Sequence, residues 1–159
     1  MYSKEEAKKL RQEFWDTFKE RSKKISPDGI KPRRWMLKNT GIKGLELKFQ
    51  AENGFARVMI NITHKYEARR YKIYDLLKMY AVVINDIVGE DMIWDRHLTN
   101  DIGKEQSCIY FELEPITYHN RVNWEPIFDF FLDKMPKVEL AIEELKEILQ
   151  EKIKSDWEA

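Results

Sequence analysis

Apolar and polar positions alternate with two different periods along the chain, and the first period is helical. Apolar residues recur every three to four positions from Ala7 to Phe18, which predicts an amphipathic helix over residues 4–24. Ser3 and Glu6 form a capping-box pattern at the start of that helix. The same spacing returns over residues 65–88 and predicts a central helix.

Between and after these helices the period changes to two, which predicts antiparallel strands. Residues 45–50 and 56–62 alternate in this way, and the Glu52-Asn53-Gly54 sequence between them suits a hairpin turn. Residues 33–38 are a candidate third strand of the same meander. Two further strands are predicted at 92–96 and 106–114, on either side of a turn-forming segment.

The C-terminal part is helical again. Asn123 is a candidate cap for a helix over residues 124–134, and Pro136 is expected to end or kink it before a last helix at 137–154. The resulting fold class is α+β: an antiparallel sheet of four to five strands with helices packed mainly on one face. We expect residues 1–159 to form a single domain.

Charged residues are distributed unequally between the two halves of the chain. The chain carries 28 Lys and Arg and 28 Asp and Glu, but residues 1–80 hold 20 of the basic and 10 of the acidic groups, and residues 81–159 hold 8 and 18. This asymmetry indicates a charged partner that the balanced total conceals.

No apolar run approaches the about 20 residues of a membrane span. Cys108 alone cannot form an internal disulfide, so we expect an inert, half-buried thiol and a cytoplasmic location.

The basic groups cluster around two features, an aromatic residue and a helix start. Trp35 could stack on an unpaired base, and cations near the start of the central helix oppose its dipole, which breaks a rule that the first helix obeys. Cations beside an aromatic ring are typical of nucleic-acid binding. The candidate nucleic-acid-binding residues are Lys31, Arg33, Arg34, Trp35, Lys38, Lys43, Lys65, Arg69, Arg70 and Lys72.

Two alternatives to nucleic-acid binding remain open. Acidic residues Glu139, Glu143, Glu147 and Glu151 form a self-repelling stripe on the last helix, so the opposite charges could pair within the fold or between subunits of a homo-oligomer. The second is a divalent-metal nuclease of the restriction type, in which Asp28 and Glu46 would hold the metal and Lys48 would orient water.

Two sets of residues raise the question of a metal site, and neither has a strong pattern. The sequence predicts a turn after the first helix at Asp28, whereas the nuclease pattern requires this residue on the strand before Glu46. Asp95 and His97 could face the same way on a strand, but no recognised metal-ligand spacing accompanies them. The sequence therefore predicts no metal ion and no cofactor.

Several short segments of the chain resemble an uncharacterised bacterial family, a domain of unknown function (4268 series). They are residues 3–7 with 11–15, the Thr40-Gly41-Ile42-Lys43-Gly44 segment, the Ile62-Thr63-His64-Lys65 segment, Ile93-Trp94, and Phe130-Phe131 after Trp124. The family occurs as small stand-alone proteins and as a module that follows restriction-type nuclease domains, which implies a link to DNA metabolism or phage defence. The resemblance carries over no catalytic residue.

The sequence thus favours a non-enzymatic, cytoplasmic α+β module. Its basic N-terminal half is expected to bind nucleic acid or a nuclease partner. A self-complementary homo-oligomer and a nuclease that uses Asp28, Glu46 and Lys48 are the alternative hypotheses, and no membrane partner is expected.

Overall fold

The helical and strand regions of the structure follow the order that the sequence predicts, although two helical regions are divided differently. A computed structural model describes residues 3–23, 40–100 and 102–158 of the chain. Their bounds are α1 Lys4–Lys23, β1 Leu45–Ala51, β2 Asn53–Ile62, α2 Glu67–Met79, α3 Ala81–Val88, β3 Ile93–Thr99, β4 Glu105–Thr117 and α4 Trp124–Glu158, with a short 3-10 helix at Arg121–Asn123. The α+β prediction is confirmed, while the candidate strand at 33–38 lies outside the described residues.

Four antiparallel strands form one sheet in the order β1-β2-β4-β3. Val58 of β2 lies opposite Phe49 of β1 and Phe111 of β4. Because successive side chains of a strand point to opposite faces, these three residues share the face that packs into the main hydrophobic core. The predicted hairpin between β1 and β2 is confirmed, and the Glu52 N–H donates to the Phe55 carbonyl at 2.9 Å.

Aromatic rings dock α1 and α4 on this face. The ring centroid of Phe18 lies 4.9 Å from that of Phe49 and 5.1 Å from that of Phe131. Phe14 lies 5.1 Å from Phe128, and both side chains are completely buried. Burial of each large apolar side chain stabilises the fold by about 1.5–3 kcal/mol, so the predicted apolar stripe of α1 holds that helix to the sheet.

The sequence predicts a capping residue at the start of α1 and at the start of α4, and the structure differs between the two. The Ser3 hydroxyl accepts the Glu6 N–H at 3.1 Å, which is the first half of the predicted capping box. Before α4, by contrast, the short 3-10 helix is capped by the Asn120 side chain. The Asn123 side-chain amide donates to the Thr117 carbonyl at 3.0 Å and so ties the helix start to the end of β4.

The prediction that Pro136 separates two helices is wrong. Pro136 lies inside α4, which continues unbroken for 35 residues. An internal proline costs a helix about 3 kcal/mol because it lacks an N–H donor. Met135 and Val138 are buried on either side of it, so packing on the sheet offsets that cost. None of the described helices, α4 included, is long and apolar enough to cross a bilayer.

The central helical region is divided in two, although the sequence predicts one helix over 65–88. Tyr80 joins α2 to α3 with a φ of −104° and a ψ of 17°, and its N–H donates to the Leu77 carbonyl at 2.9 Å. Leu77 and Ile84 are completely buried on either side of this joint. The predicted apolar stripe is therefore confirmed, while the uninterrupted helix is not.

The other face of the sheet carries a small second cluster. Met59, Cys108 and Tyr110 are buried there, and the partly buried Leu98 packs against them. Helices thus cover mainly one face of the sheet, as predicted. This arrangement leaves the start of α2 beside the open end of the β1–β2 hairpin, where the Thr63 N–H donates to the Gly44 carbonyl at 2.9 Å.

Candidate nucleic-acid interface

An exposed tyrosine marks the start of α2. Tyr66 is the residue before the helix, has an extended backbone, and makes no side-chain capping bond. Its N–H donates to Nδ1 of His64 at 3.2 Å, which turns the chain into the helix. Tyr66 is 55% exposed, and its ring centroid lies 5.6 Å from that of His64.

Two cations flank this ring. The Lys65 ammonium lies 5.0 Å from the ring centroid, and the Arg69 guanidinium carbon lies 5.8 Å from it. Both distances fall within the range of cation–π attraction. Arg69 also places a guanidinium nitrogen 3.5 Å from Nε2 of His64. Positive charge and an exposed aromatic face therefore occupy one place on the surface.

The loop before β1 adds Lys43 to this place. The Thr40 hydroxyl accepts the Ile42 N–H at 3.0 Å and lies 2.7 Å from the Leu45 carbonyl, which fixes the loop. Gly44 has a φ of +83°, and a Cβ there would lie 3.3 Å from Ile73 and 3.7 Å from the Cβ of His64. The loop is thus held directly against His64, with the exposed Lys43 beside it.

The pKa of His64 is sensitive to the positively charged side chains around it. The pKa of His64 is lowered from 6.5, first by burial and then by the positive charges of Arg69, Lys43, Lys65 and Arg70. Each of these charges disfavours the protonated ring. Together they produce a local positive potential that would attract an anion.

Several of these cations face solvent. Lys43, Lys65 and Lys72 are exposed and make no ion pair with any residue that the structure describes. Lys72 follows Arg69 by three positions, so it extends the same side of α2. We use the name Tyr66 surface for Lys43, His64, Lys65, Tyr66, Arg69 and Lys72.

Arg70 differs from its neighbours, although the sequence groups it with them. It is 4% exposed, and Nη1 donates to the His64 and Lys65 carbonyls at 3.1 and 3.2 Å. Nη2 pairs with Glu105 at 3.4 Å. Arg70 therefore holds the start of α2 in place, and we leave it out of the Tyr66 surface.

The predicted position of Lys65 also needs correction. The sequence places Lys65 in the first turn of the central helix, whereas α2 begins at Glu67. Lys65 therefore approaches the ring of Tyr66 from the extended segment before the helix. Within the first turn, the charge of Arg70 is compensated by two carbonyls and a carboxylate.

Lys31, Arg33, Arg34, Trp35 and Lys38 lie outside the described residues, and so does Asp28 of the nuclease hypothesis. Their roles stay predictions.

The two remaining residues of the nuclease hypothesis lie on the face of the sheet opposite the helices. Glu46 and Lys48 are exposed at alternate positions of β1. Glu46 accepts a hydrogen bond from the Asn61 amide at 3.0 Å, and Asn61 in turn accepts the Cys108 thiol at 3.2 Å. Cys108 is completely buried, rather than half-buried as the sequence predicts. This burial, reinforced by the charge of Asp95, raises the pKa of the thiol to about 12, so the thiol is inert as expected.

Opposite charges meet within the fold at some positions and face outward at others. Arg57 of β2 lies 2.7 Å from Glu112 of β4, and Arg21 of α1 lies 3.3 Å from Glu125 of α4. On the predicted acidic stripe, Glu139 is buried, whereas Glu143, Glu147 and Glu151 are exposed. Pairing within the fold therefore uses only part of each charge set.

One group of possible metal ligands was missed by the sequence analysis. Single ligand atoms of Glu67, His97 and Glu105 lie within 4.8 Å of one another. These residues begin α2, lie in β3 and begin β4, so no local spacing connects them.

The register of β3 contradicts the possibility that Asp95 and His97 face the same way. Asp95 lies opposite Cys108 and Leu98 lies opposite Gln106, so a register shift separates them. Because Cys108 and Gln106 share a face of β4, Asp95 and Leu98 lie on that side of the sheet. His97 instead contacts Tyr71 of α2.

Comparison with known proteins identifies the family. A family model described as Domain of unknown function (DUF4268) matches residues 10–157, and the chain belongs to this family. This confirms the resemblance that the short segments indicate. Neither the curated proteins nor the solved structures contain a significant match to the chain.

Proposed function

We propose that this member of the family binds single-stranded nucleic acid through the Tyr66 surface. The observation that carries the proposal is the exposed ring of Tyr66, with Lys65 and Arg69 beside it and the positive charges around His64. Nucleic acids present phosphates to cations and, when single-stranded, present base faces to aromatic rings.

Single strands fit this surface better than duplexes do. A paired base keeps its faces stacked on its neighbours, whereas an unpaired base can lie on the ring of Tyr66. Lys65 and Arg69 lie beside the ring, and Lys43 and Lys72 of the same surface raise the number of positive charges for the flanking phosphates to four. Binding of an anion there would also favour protonation of His64, which the same cations now oppose.

The proposal is tested by fluorescence anisotropy with a labelled single-stranded oligonucleotide and its duplex at several salt concentrations. Four phosphate contacts predict a slope of about −3 in log K against log salt for a single strand. Between 50 and 200 mM salt the affinity should then fall by about sixtyfold. Absence of binding at 50 mM salt, or an affinity independent of salt, would contradict the proposal.

Two substitutions distinguish the contribution of base stacking to binding from the contribution of positive charge. Tyr66→Ala should cost about 1–3 kcal/mol of single-strand binding and leave the salt slope unchanged. Lys65→Gln should reduce the slope by about 0.7. Lys8→Gln is the matched control, because Lys8 is exposed on α1 one turn before Arg11, which pairs with Glu52 at the opposite end of the β1–β2 hairpin. Equal losses in Lys8→Gln and Lys65→Gln would refute the assignment to this surface.

In an alternative form of this proposal, the cations of the Tyr66 surface bind a nuclease partner instead of a nucleic acid. A protein that binds the same cations would show salt-dependent binding, but it would not require a base to stack on Tyr66. Competition between a nuclease domain and the oligonucleotide, abolished by Lys65→Gln, would support that version.

We also propose self-association as a second function. Its support is that Glu143, Glu147 and Glu151 face solvent while Lys43, Lys65 and Lys72 do so elsewhere on the same chain. Unlike-charged surfaces can pair between copies, and such pairing weakens with salt. Light scattering at low and high salt tests this, and a monomer at every salt concentration would refute it.

A further inference from the structure

The start of α2 meets the β3–β4 hairpin at a group of three ionisable side chains. Glu67 is the first residue of α2, His97 lies in β3, and Glu105 is the first residue of β4. One ligand atom from each lies within 4.8 Å of the others, and Nε2 of His97 is 3.7 Å from Oε1 of Glu105.

Neighbouring residues of α2 orient two of these side chains. The Tyr71 hydroxyl lies 3.2 Å from Nδ1 of His97, and Nη2 of the buried Arg70 lies 3.4 Å from Oε2 of Glu105. These contacts engage Nδ1 of His97 and Oε2 of Glu105. Nε2 and Oε1 are the atoms left facing each other, and Glu67 is on the same side of α2 as Arg70 and Tyr71.

This arrangement has the form of a metal site with its supporting contacts. A histidine that ligates a metal usually has its other ring nitrogen hydrogen-bonded, and ligating carboxylates are held in the same way. In zinc sites the ligand atoms are about 2.0–2.2 Å from the ion and hence about 3.4 Å apart. All three side chains are exposed, so small rotations can bring their ligand atoms to that separation.

We propose that Glu67, His97 and Glu105 bind a divalent first-row transition-metal ion of the Zn²⁺ class. The imidazole nitrogen favours such an ion over Mg²⁺, which prefers oxygen ligands and its own water. Two carboxylates balance the charge of the ion, and three protein ligands leave a position for water. The ion would join the first turn of α2 to the β3–β4 hairpin. This site does not depend on nucleic-acid binding by the Tyr66 surface.

Isothermal titration of the full chain, free of any purification tag, with Zn²⁺ or Mg²⁺ tests the proposal. The expected result is one Zn²⁺ per chain, with Mg²⁺ bound at least a hundredfold more weakly. His97→Ala and Glu105→Gln should each weaken Zn²⁺ binding at least tenfold, while Tyr71→Phe should weaken it less. His119→Ala is the control, since His119 lies after β4 and should retain wild-type affinity within twofold.

A measurement on the wild-type chain guards against variants that do not fold. Histidine-ring NMR signals should show that Zn²⁺ perturbs His97 before His64 or His119. Zn²⁺ should also raise the melting temperature of the wild-type chain and of His119→Ala, but not that of His97→Ala. Absence of Zn²⁺ binding, equal loss in the His119→Ala control, or first perturbation of another histidine would overturn the proposal.

Discussion

Replacing Arg70 with methionine should lower the free energy of unfolding by about 3 kcal/mol, because this side chain holds the start of α2. Methionine retains much of the aliphatic chain and removes every N–H donor. The His64 and Lys65 carbonyls would lose their hydrogen bonds from Nη1, while Glu105 would lose its ion pair.

The magnitude follows from the partners of Arg70. Two hydrogen bonds from a charged donor contribute about 1.5 kcal/mol each. The pair with Glu105 adds little, because the Glu105 side chain is 47% exposed and exposed ion pairs contribute about 0–1 kcal/mol. The two carbonyls therefore account for most of the expected loss.

Urea denaturation followed by circular dichroism measures this loss. Lys72→Met is the matched control, because Lys72 is exposed on the same helix and its substitution should change stability by less than about 0.5 kcal/mol. An Arg70→Met chain as stable as the control would refute the assigned role.

The same variant distinguishes support from contact with nucleic acid. Under conditions where Arg70→Met remains folded, the salt slope of oligonucleotide binding should equal the wild-type value, because Arg70 is buried. A slope reduced by about 0.7 would show that Arg70 meets a phosphate and belongs to the Tyr66 surface after all.

Four further predictions concern single side chains. Lys65→Gln should raise the pKa of His64 toward 6.5, since removal of a nearby positive charge favours the protonated ring; an NMR titration that shows no rise would contradict this. Because the pKa of His64 is lower in the folded chain, stability should fall as the pH drops below about 6.5, and His64→Gln should remove that part of the fall in urea titrations. Cys108 should react with iodoacetamide at pH 8 about a thousandfold more slowly than an exposed thiol, and rapid alkylation of the folded chain would refute its burial. Phe18→Ala should cost about 3–5 kcal/mol in urea denaturation, against less than about 0.5 kcal/mol for the exposed Lys19→Ala; similar losses would contradict the docking of α1.

Local patterns predicted the elements well where one face of an element is buried. The spacing of Leu10, Phe14 and Phe18 identifies the side of α1 that meets the sheet, and all three side chains are buried. Alternation in residues 45–50 and 56–62 identifies the core face of the hairpin for the same reason. Burial selects apolar residues at the period of the backbone, so the period can be read from the sequence.

Local patterns failed where packing overrides a local preference. Pro136 ordinarily ends a helix, but the buried Met135 and Val138 keep α4 continuous. At Tyr80 the opposite occurs. The apolar stripe continues through this residue, but the helix is divided there. Neither outcome follows from helix propensity alone, which tertiary context can override.

Charge shows the same division between local and tertiary information. The sequence identified Lys43, Lys65, Arg69 and Arg70 as a basic set. Only the structure separates Arg70, which is buried against two carbonyls, from the cations beside the exposed Tyr66 ring. Arg69 and Arg70 are adjacent in the chain and opposite in environment because a helix turns by about 100° per residue.

The sequence by itself determined the α+β class, the order of the helical and strand regions, the family and the basic set. These properties depend on residue types and short spacings, which a linear chain displays. Tertiary structure alone decided that the loop at Lys43 adjoins His64, and that Glu67, His97 and Glu105 converge. Those residues are far apart in sequence, and their proximity results from the pairing of β3 with β4 and the packing of α2 beside them.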